Sequence, residues 1–559
     1  MSSVTQAMHR VAFFIFLICF TSSCSYLLDQ FGDPTQEVVG LDQEKFGIVF
    51  SHNINGETHP CGCRHYPLGG LAQVAGQIHK IQKDEQVVYI DSGDTLFPAF
   101  NIPESVERST TFNAKELAKG LSQAGLRYWV PGDQDFAKGL SFLKKITEET
   151  KINLLLANLA PQEKIAHKEF IIFEKGPHKV FITGLIEPSI LPTKARSHFT
   201  NPAQSLKAVL EKMKKEKGYS EKDKFHRLVV VTHAGIGHDE ELAKQFKNID
   251  WIIGAHTMNF LRFPQEEGQT KLVQVLSRNH YVGHITFDLT KDKSKDSYEI
   301  HEIRDELKDE MKPNPFLSFI DKHKEALSKI QLDEQKGTGP VDPATLRYAT
   351  ANSCMECHEA QGEFWQGTPH SIAYETLKLA NEENNLSCVK CHSLGLQDPK
   401  GFPNVKHIVT FQKESDSGEL KAPTSKEHEK LLSNYWKEID QSFGKQEIES
   451  VRKLKPEAIR SIAQQWAKID KDHNVTHNNA NVQCLNCHSK HPEHPFDNNP
   501  YNPNPAQRRV DMQDKCLTCH DPDQSPEWYN KTDKGLAGDV NYDVLKEKIK
   551  SVSCPRIED

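Results

Sequence analysis

The 559-residue sequence predicts a multidomain chain: a layered α/β domain followed by a mostly α, loop-rich domain dense in cysteine and histidine. Three observations predict it. Short Val- and Ile-rich runs alternate with helix-period segments over the first three hundred or so residues, as layered α/β domains require. A polar stretch with Gly and Pro, DEQKGTGPVDP (333–343), then breaks the pattern and reads as a linker. Beyond it strand runs vanish, and four C-x-x-C-H motifs stand among charged helical segments. The length itself calls for two or three domains.

The N-terminus bears on compartment. His9 and Arg10 precede the apolar run VAFFIFLICF (11–20), and TSSC follows, ending at Cys24. Ten apolar residues are too few to span a bilayer but suit the apolar core of a signal peptide. Small residues running into a cysteine resemble a bacterial lipoprotein cleavage site. Residues 1–23 are therefore expected to be removed, Cys24 lipidated, and 24–44 left as a polar tether. This implies export to the periplasmic face or outer membrane of a Gram-negative bacterium, with membrane contact through the lipid anchor. A net charge of −8 without a Lys/Arg-dense block excludes a nucleic-acid partner from the expectations.

The expected strands are FGIVF (46–50), QVVYID (86–91), RYWVPG (127–132), INLLLAN (152–158), KVFITGLI (179–186), RLVVVTH (227–233), DWIIGAH (250–256) and KLVQVL (271–276). HITFDLT (284–290) and YEIHEIRD (298–305) look like closing antiparallel strands, and AKELAKGLSQAG (114–125) and SLKAVLEKMKKE (205–216) like intervening helices. This domain is expected over 45–312, and a helix with its linker over 313–343. The second domain follows over 344–535, with helices at 424–440 and 455–470, and a tail over 536–559.

The four motifs are CMECH (354–358), CVKCH (388–392), CLNCH (484–488) and CLTCH (516–520). Two thiols separated by two residues can both reach the vinyl groups of one porphyrin, and the adjacent histidine falls beneath the iron. Zinc ribbons and disulfide scaffolds also use C-x-x-C pairs, but neither needs a histidine after every second cysteine. Four covalently bound c-type haems are therefore expected. Their attachment pairs are Cys354 and Cys357, Cys388 and Cys391, Cys484 and Cys487, and Cys516 and Cys519, with His358, His392, His488 and His520 as proximal ligands. YATANSCMECHEAQGEFWQGTPHSIAYETL (348–377) and VQCLNCHSKHPEH (482–494) resemble the cytochrome c-552/4-like multihaem family. That resemblance implies distal ligation by His370 and His494, with His491 competing for the second role; His407 and His477 are further distal candidates without a motif.

The strand ends of the α/β part form their own series: HNING (52–56), DSGD (91–94), PGDQDF (131–136), VVTHAGIGHD (230–239) and IIGAHTM (252–258). In that order they resemble the calcineurin-like metallophosphoesterases, and within them the 5′-nucleotidase family. The resemblance implies a double-sheet α/β sandwich binding two divalent metals. It places Asp94, Asp133, His233 and His256 as ligands of one ion. Asn53, Asn55 and Met258 stand where the other ion's ligands belong, and Gln134 where the family has its catalytic histidine. Two-ion hydrolysis shares phosphoryl charge between metals, so this pattern argues against ordinary phosphatase chemistry. One divalent ion (Mn, Zn or Fe), none, or two with new ligands remain open.

HPCGCRH (59–65) follows the first of these motifs. Cys61 and Cys63 could bind a soft ion or a sulfur substrate, close a small disulfide, or be incidental. Cys554 has no evident partner in the sequence. The leading expectation is an exported tetrahaem cytochrome that passes electrons to a redox partner protein or quinone-linked chain. It would carry a degenerate phosphoesterase-like domain. The alternatives are a hydrolase of phosphate or sulfur esters beside a haem relay, and a haem-based reductase of a small molecule.

Overall fold

The computed structural model describes residues 35–60, 67–335, 348–398, 401–414, 420–444, 451, 453–488, 513, 515–520, 525–532 and 535–555. The expected signal peptide, Cys24, Cys61, Cys63, His491 and His494 lie outside them, as do residues 336–343 of the expected linker. Among the described residues no helix is long and apolar enough to cross a membrane. Contacts divide the chain into two compact units. The first takes Met1–Glu57, Gly69–Asn101 and Leu117–Asn314; the second takes Thr58–Leu68, Ile102–Glu116 and Pro315–Asp559.

The first unit is a sandwich of two seven-stranded sheets. Its strands are β1 (Gln36–Gly40), β2 (Lys45–Ser51), β3 (Gln86–Asp91), β4 (Leu126–Trp129), β5 (Asn153–Leu155), β6 (His167–Lys168), β7 (Phe170–Lys175), β8 (His178–Ile186), β9 (His226–His233), β10 (Trp251–Ile253), β11 (Gln265–Glu267), β12 (Thr270–Val273), β13 (Tyr281–Asp288) and β14 (Ser297–Glu302). One sheet has the order β1-β7-β8-β9-β10-β12-β11, the other β14-β13-β2-β3-β4-β5-β6. The central strands are parallel and buried on both faces, which is why they read as continuous apolar runs. The inner faces meet where the Phe46 and Phe173 rings stack at 4.5 Å. On an outer face, the helix Pro202–Lys217 buries Leu206, Val209, Leu210 and Met213, spaced i, i+3, i+4, i+7 on one stripe. Asn201 caps its first turn and Gly218 ends it in the left-handed region.

Arg227 and Asp296 form a fully buried pair at 2.9 Å in this unit. The span 24–44 is not wholly a tether: its residues 36–40 form β1, parallel to β7. A half-exposed edge strand draws its stability from one neighbour's backbone groups, and its own five residues carry little apolar signal.

The second unit is built on the helices Ser425–Phe443 and Pro456–Asp472, close to their expected spans. Tyr435, Ile439 and Phe443 of the first pack with Ile459, Ile462 and Trp466 of the second. The Tyr435 hydroxyl donates to Asp470 at 2.6 Å and accepts from the Trp466 indole at 2.6 Å, so this core closes over a satisfied polar pair. Small antiparallel pairs join them: β15 (Val409–Phe411), β16 (Lys413–Glu414), β17 (Leu420–Lys421) and β18 (Val475–Asn478), with β15 on β18 and β16 on β17. The described part of the expected tail, 536–555, contains regular structure. β19 (Tyr529–Thr532) pairs with β20 (Gly535–Val540), and the helix Tyr542–Ser551 buries Leu545 against Trp528 and Tyr529.

Candidate metal centre and C-x-x-C-H turns

Asp94, Asp133, His233 and His256 leave the C-terminal ends of β3, β4, β9 and β10 and converge, each offering a ligand atom within 4.8 Å of the others. His233 Nε2 lies 3.2 Å from Asp133 Oδ1 and 3.4 Å from Asp94 Oδ1, and His256 Nδ1 lies 2.9 Å from Asp133 Oδ1. A carbonyl can only accept, so the 2.7 Å contact of His233 Nδ1 with the Ser92 carbonyl puts a proton on Nδ1 and aims Nε2 at the carboxylates. Burial alone would depress this imidazole, but Asp94 and Asp133 outweigh it and hold its pKa well above the ordinary value. Burial would raise the Asp133 carboxyl, yet His233 and His256 hold it below the usual carboxylate range. Two carboxylates and two imidazoles with mutually close donor atoms fit a borderline divalent ion.

The backbone around this cluster is unusual. Asn53, Asn55, Asp94, His256 and Met258 all have φ between 49° and 74°. Non-glycine residues rarely sit there, and clustering of such strain at strand ends marks a functional loop set. The loops are zipped together by Asn53 N–H to Gly93 O (2.7 Å) and Asn55 N–H to Asp94 O (2.9 Å). Gly132 is required for packing: a Cβ there would run into Asp94 Oδ1 and His233.

Asn53 is oriented unambiguously. The Val275 amide donates to His52 Nε2 at 2.8 Å, so His52 carries its proton on Nδ1 and donates to Asn53 Oδ1 at 2.8 Å. The His256 amide donates to the same oxygen. The Asn53 NH₂ is thereby directed at Asp94 Oδ2, 3.0 Å away. Gln134 adds its Nε2 to that oxygen at 3.2 Å and its backbone N–H to Oδ1 at 3.0 Å. Two side-chain amides thus saturate the Asp94 oxygen that faces away from His233. Asn55 Oδ1 and Gln134 Oε1 are buried without a hydrogen-bond partner. Met258 is 43% exposed.

A layer of buried groups below the cluster carries no sequence signal beyond Asp and His beside glycines. Asp91 accepts from Ser51, Thr95 and Gly93, and burial raises its carboxyl to about 6. Asp135 accepts from the Thr95, Leu96 and Gly132 amides, and burial followed by the charge of Asp94 lifts it to about 7. His52 is pushed down to about 4 by burial and stays neutral.

In the second unit all four C-x-x-C-H motifs adopt the same helical turn. The histidine N–H bonds the carbonyl of the first cysteine in each: His358 to Cys354 (3.0 Å), His392 to Cys388 (3.2 Å), His488 to Cys484 (2.8 Å) and His520 to Cys516 (2.9 Å). Residues i, i+3 and i+4 of such a turn share one face, so both thiols and the imidazole point the same way. His392 Nδ1 donates to the Ala373 carbonyl at 2.6 Å, which fixes its proton on Nδ1, and His520 Nδ1 meets Ser525 Oγ at 2.8 Å.

The second cysteines of the four turns are not equivalent, although the motif treats them alike. Cys357 is exposed, whereas Cys391, Cys487 and Cys519 are half-buried. The difference follows from what carries each. Cys357 comes just after the helix Ala351–Met355, of which only Ala351 is buried. Its N–H bonds the Cys354 carbonyl at 3.3 Å, and the Cys519 N–H bonds that of Cys516 at 3.2 Å. Cys391 closes the helix Leu386–Cys391, which buries Val389, and Cys487 closes the turn Cys484–Cys487. Cys519 has the Thr518 hydroxyl 3.8 Å from its Sγ.

Of the distal candidates, His370 is brought near both His392 and His520, its ring 6.4 Å from that of His520. His407 is buried beside His428 with Nδ1 unpartnered, and His477 lies on β18 beside Thr410.

The N-terminal half is similar to 5′-nucleotidases. It is 24% identical over 207 residues to a snake venom 5′-nucleotidase of Gloydius brevicauda, covering 34% of this chain and 32% of that one. It is 25% identical over 251 residues to an apyrase of Tabanus yao, covering 39% and 42%. The chain thus spans less than half the length of these curated relatives. A 5′-nucleotidase precursor from Thermus thermophilus superposes with a TM-score of 0.41 at 17% identity, covering 58% of this chain and 66% of that one. Residues 353–414 match the family of cytochrome c554 and c-prime. The matched segment holds the first two C-x-x-C-H turns. The chain therefore joins a 5′-nucleotidase-like half to a cytochrome-like one. The turns fit haem: each presents two thiols and an imidazole on one face.

Proposed function

We propose that this protein is an exported tetrahaem electron-transfer protein whose 5′-nucleotidase-like unit binds one divalent ion. The observation that carries this reading is the fourfold recurrence of one helical turn with both thiols and the histidine on a single face. Covalent c-type haem supplies one-electron chemistry at the iron. This chain's contribution is to hold the cysteines for attachment, and to orient His392 and His520 from behind through the Ala373 carbonyl and Ser525. Export and lipidation at Cys24 belong to the same reading, since c-type attachment takes place outside the cytoplasm, and so does a redox partner at the membrane. The test is iron per chain and the reduced-minus-oxidised spectrum of protein matured with the haem-attachment machinery. Four irons and a c-type spectrum are expected; two or fewer irons would overturn the tetrahaem reading.

A second reading, hydrolysis of a phosphate or sulfur ester, rests on the converged Asp94, Asp133, His233 and His256. Against it stand the amides of Asn53 and Gln134 on Asp94, which remove one oxygen from metal binding and leave no imidazole at position 134. AMP, bis-p-nitrophenyl phosphate and thiosulfate, assayed with Mn²⁺ or Zn²⁺, decide it. Turnover absent in Asp94→Ala and His256→Ala variants would establish the hydrolase, and no turnover above those controls would dismiss it.

A further inference from the structure

The sheet that begins with β14 carries a second cluster that shares no residue with the strand-end site. His284 on β13 stands directly across from Glu299 on β14, and His301 is two residues further along β14. With a side-chain period of two, all three project from one face. His284 Nδ1 lies 3.2 Å from His301 Nε2 and 3.4 Å from Glu299 Oε1, and His301 Nε2 lies 3.4 Å from the same oxygen. The donor atoms therefore form a nearly equilateral triangle. A tetrahedral Zn²⁺ with bonds of about 2.0–2.1 Å requires ligand atoms about 3.3 Å apart. The triangle already has that edge.

The opposite side of His284 points to the same chemistry. Its Nε2 lies 2.9 Å from Glu85 Oε1. A carboxylate accepts, so Nε2 carries the proton and Nδ1 presents its lone pair to the triangle. A carboxylate behind a ligating histidine is the usual outer support of a zinc site, fixing tautomer and ring orientation. Glu85 is 6% exposed, and its other oxygen has no hydrogen-bond partner. Room for this arrangement comes from Gly47 on β2, where a Cβ would stand 2.7 Å from His284 Nε2 and 3.0 Å from Glu85 Oε2. The Glu299 side chain is 64% exposed, which leaves a fourth position open to water.

We propose that His284, His301 and Glu299 bind one Zn²⁺ ion, oriented through Glu85, and that this ion pins the edge strand β14 to β13. The experiment is zinc titration by calorimetry, with elemental analysis after gel filtration, on the haem-loaded full chain. An Asp94→Ala/His256→Ala double variant, which disables the strand-end cluster, is expected to retain one zinc per chain. Adding His301→Ala should weaken that zinc at least tenfold, and Glu85→Gln should weaken it 10- to 100-fold while leaving every ligand in place. Because Glu299 is exposed, Glu299→Gln on the unaltered background gives the same readout without burdening the fold: one zinc equivalent is weakened at least tenfold. Absorption at the zinc edge, which the haem irons do not overlap, should show two imidazoles at about 2.0 Å. No zinc on the double variant, or zinc binding indifferent to both His301→Ala and Glu299→Gln, overturns the proposal.

Discussion

Asp94 shows how one residue change alters a site's chemistry while leaving its geometry in place. An aspartate at position 53 would accept from His52 and from the His256 amide as Asn53 does, but would donate nothing to Asp94. The asparagine NH₂ therefore replaces a cation as the partner of Asp94 Oδ2, and Gln134 supplies a second amide to the same atom. Asn53→Asp should consequently make the N-terminal unit metal-dependent. In chelator it loses a hydrogen bond to a charged group and gains like-charge repulsion, together about 2 kcal/mol of destabilisation. Excess Mn²⁺ should return most of it, since ligand at a hundredfold over Kd stabilises by about 2.7 kcal/mol. The check is the melting temperature of parent and variant with and without Mn²⁺. A variant no less stable than the parent in chelator would show that the amide contributes nothing to holding Asp94.

At the scale of elements, strand ends do the positioning, and a buried helix histidine sets a pH dependence. His323, on the helix Pro315–Glu334, is stacked near the rings of Phe112 and Phe319 with Nε2 2.9 Å from Asn113 Oδ1. Burial, with His59 adding to it, pushes its pKa down to about 4. Between about pH 6.5 and 4 the unfolded chain holds a proton that the folded one refuses, so stability falls as pH drops through that window, by on the order of 3 kcal/mol at its lower end. His323→Gln should flatten the acid side of the stability curve between pH 6.5 and 4.5, measured by denaturant melts; an unchanged slope would place the sensitivity elsewhere. The sequence makes these elements unequally visible. Strands β2, β3, β9 and β10 stand out because burial on both faces makes them apolar runs, and the candidate ligands Asp94, His233 and His256 are legible because they stand at or just beyond the ends of β3, β9 and β10. The direction of the Asn53 amide depends on His52 and Val275, which meet only in the fold. The His284–Glu299–His301 cluster depends on the register of β13 against β14, which no local pattern specifies. β1 is short and half-exposed, and the β19–β20 pair is short, so their sequences carry almost no period to read.

For the molecule as a whole, the two units depend on different things for their stability. The first unit's core is strand-borne Phe, Ile, Val and Leu, closed over by helices such as Pro202–Lys217. Among the described residues every cysteine lies in the second unit, and most sit at half-exposed positions on short helical turns. That unit's own apolar cluster is concentrated on the helices Ser425–Phe443 and Pro456–Asp472, with Phe402, Val409 and Phe411 packed on them. The Cys516–His520 turn has less beneath it: near Cys516 the buried set is Trp528, Tyr529 and Leu545. Local opening free energy follows such differences in buried apolar contact. Protein made with all eight motif cysteines changed to alanine should therefore keep the first unit's thermal transition within about 1 °C of the parent's, because none of its described core uses those residues. Limited proteolysis with mass mapping should show early cuts near the Cys516–His520 turn, and longest survival of the sandwich and of the helices Ser425–Phe443 and Pro456–Asp472. A single transition shifted by several degrees, or cuts spread evenly over both units, would mean that the sandwich draws its stability from the cytochrome-like half.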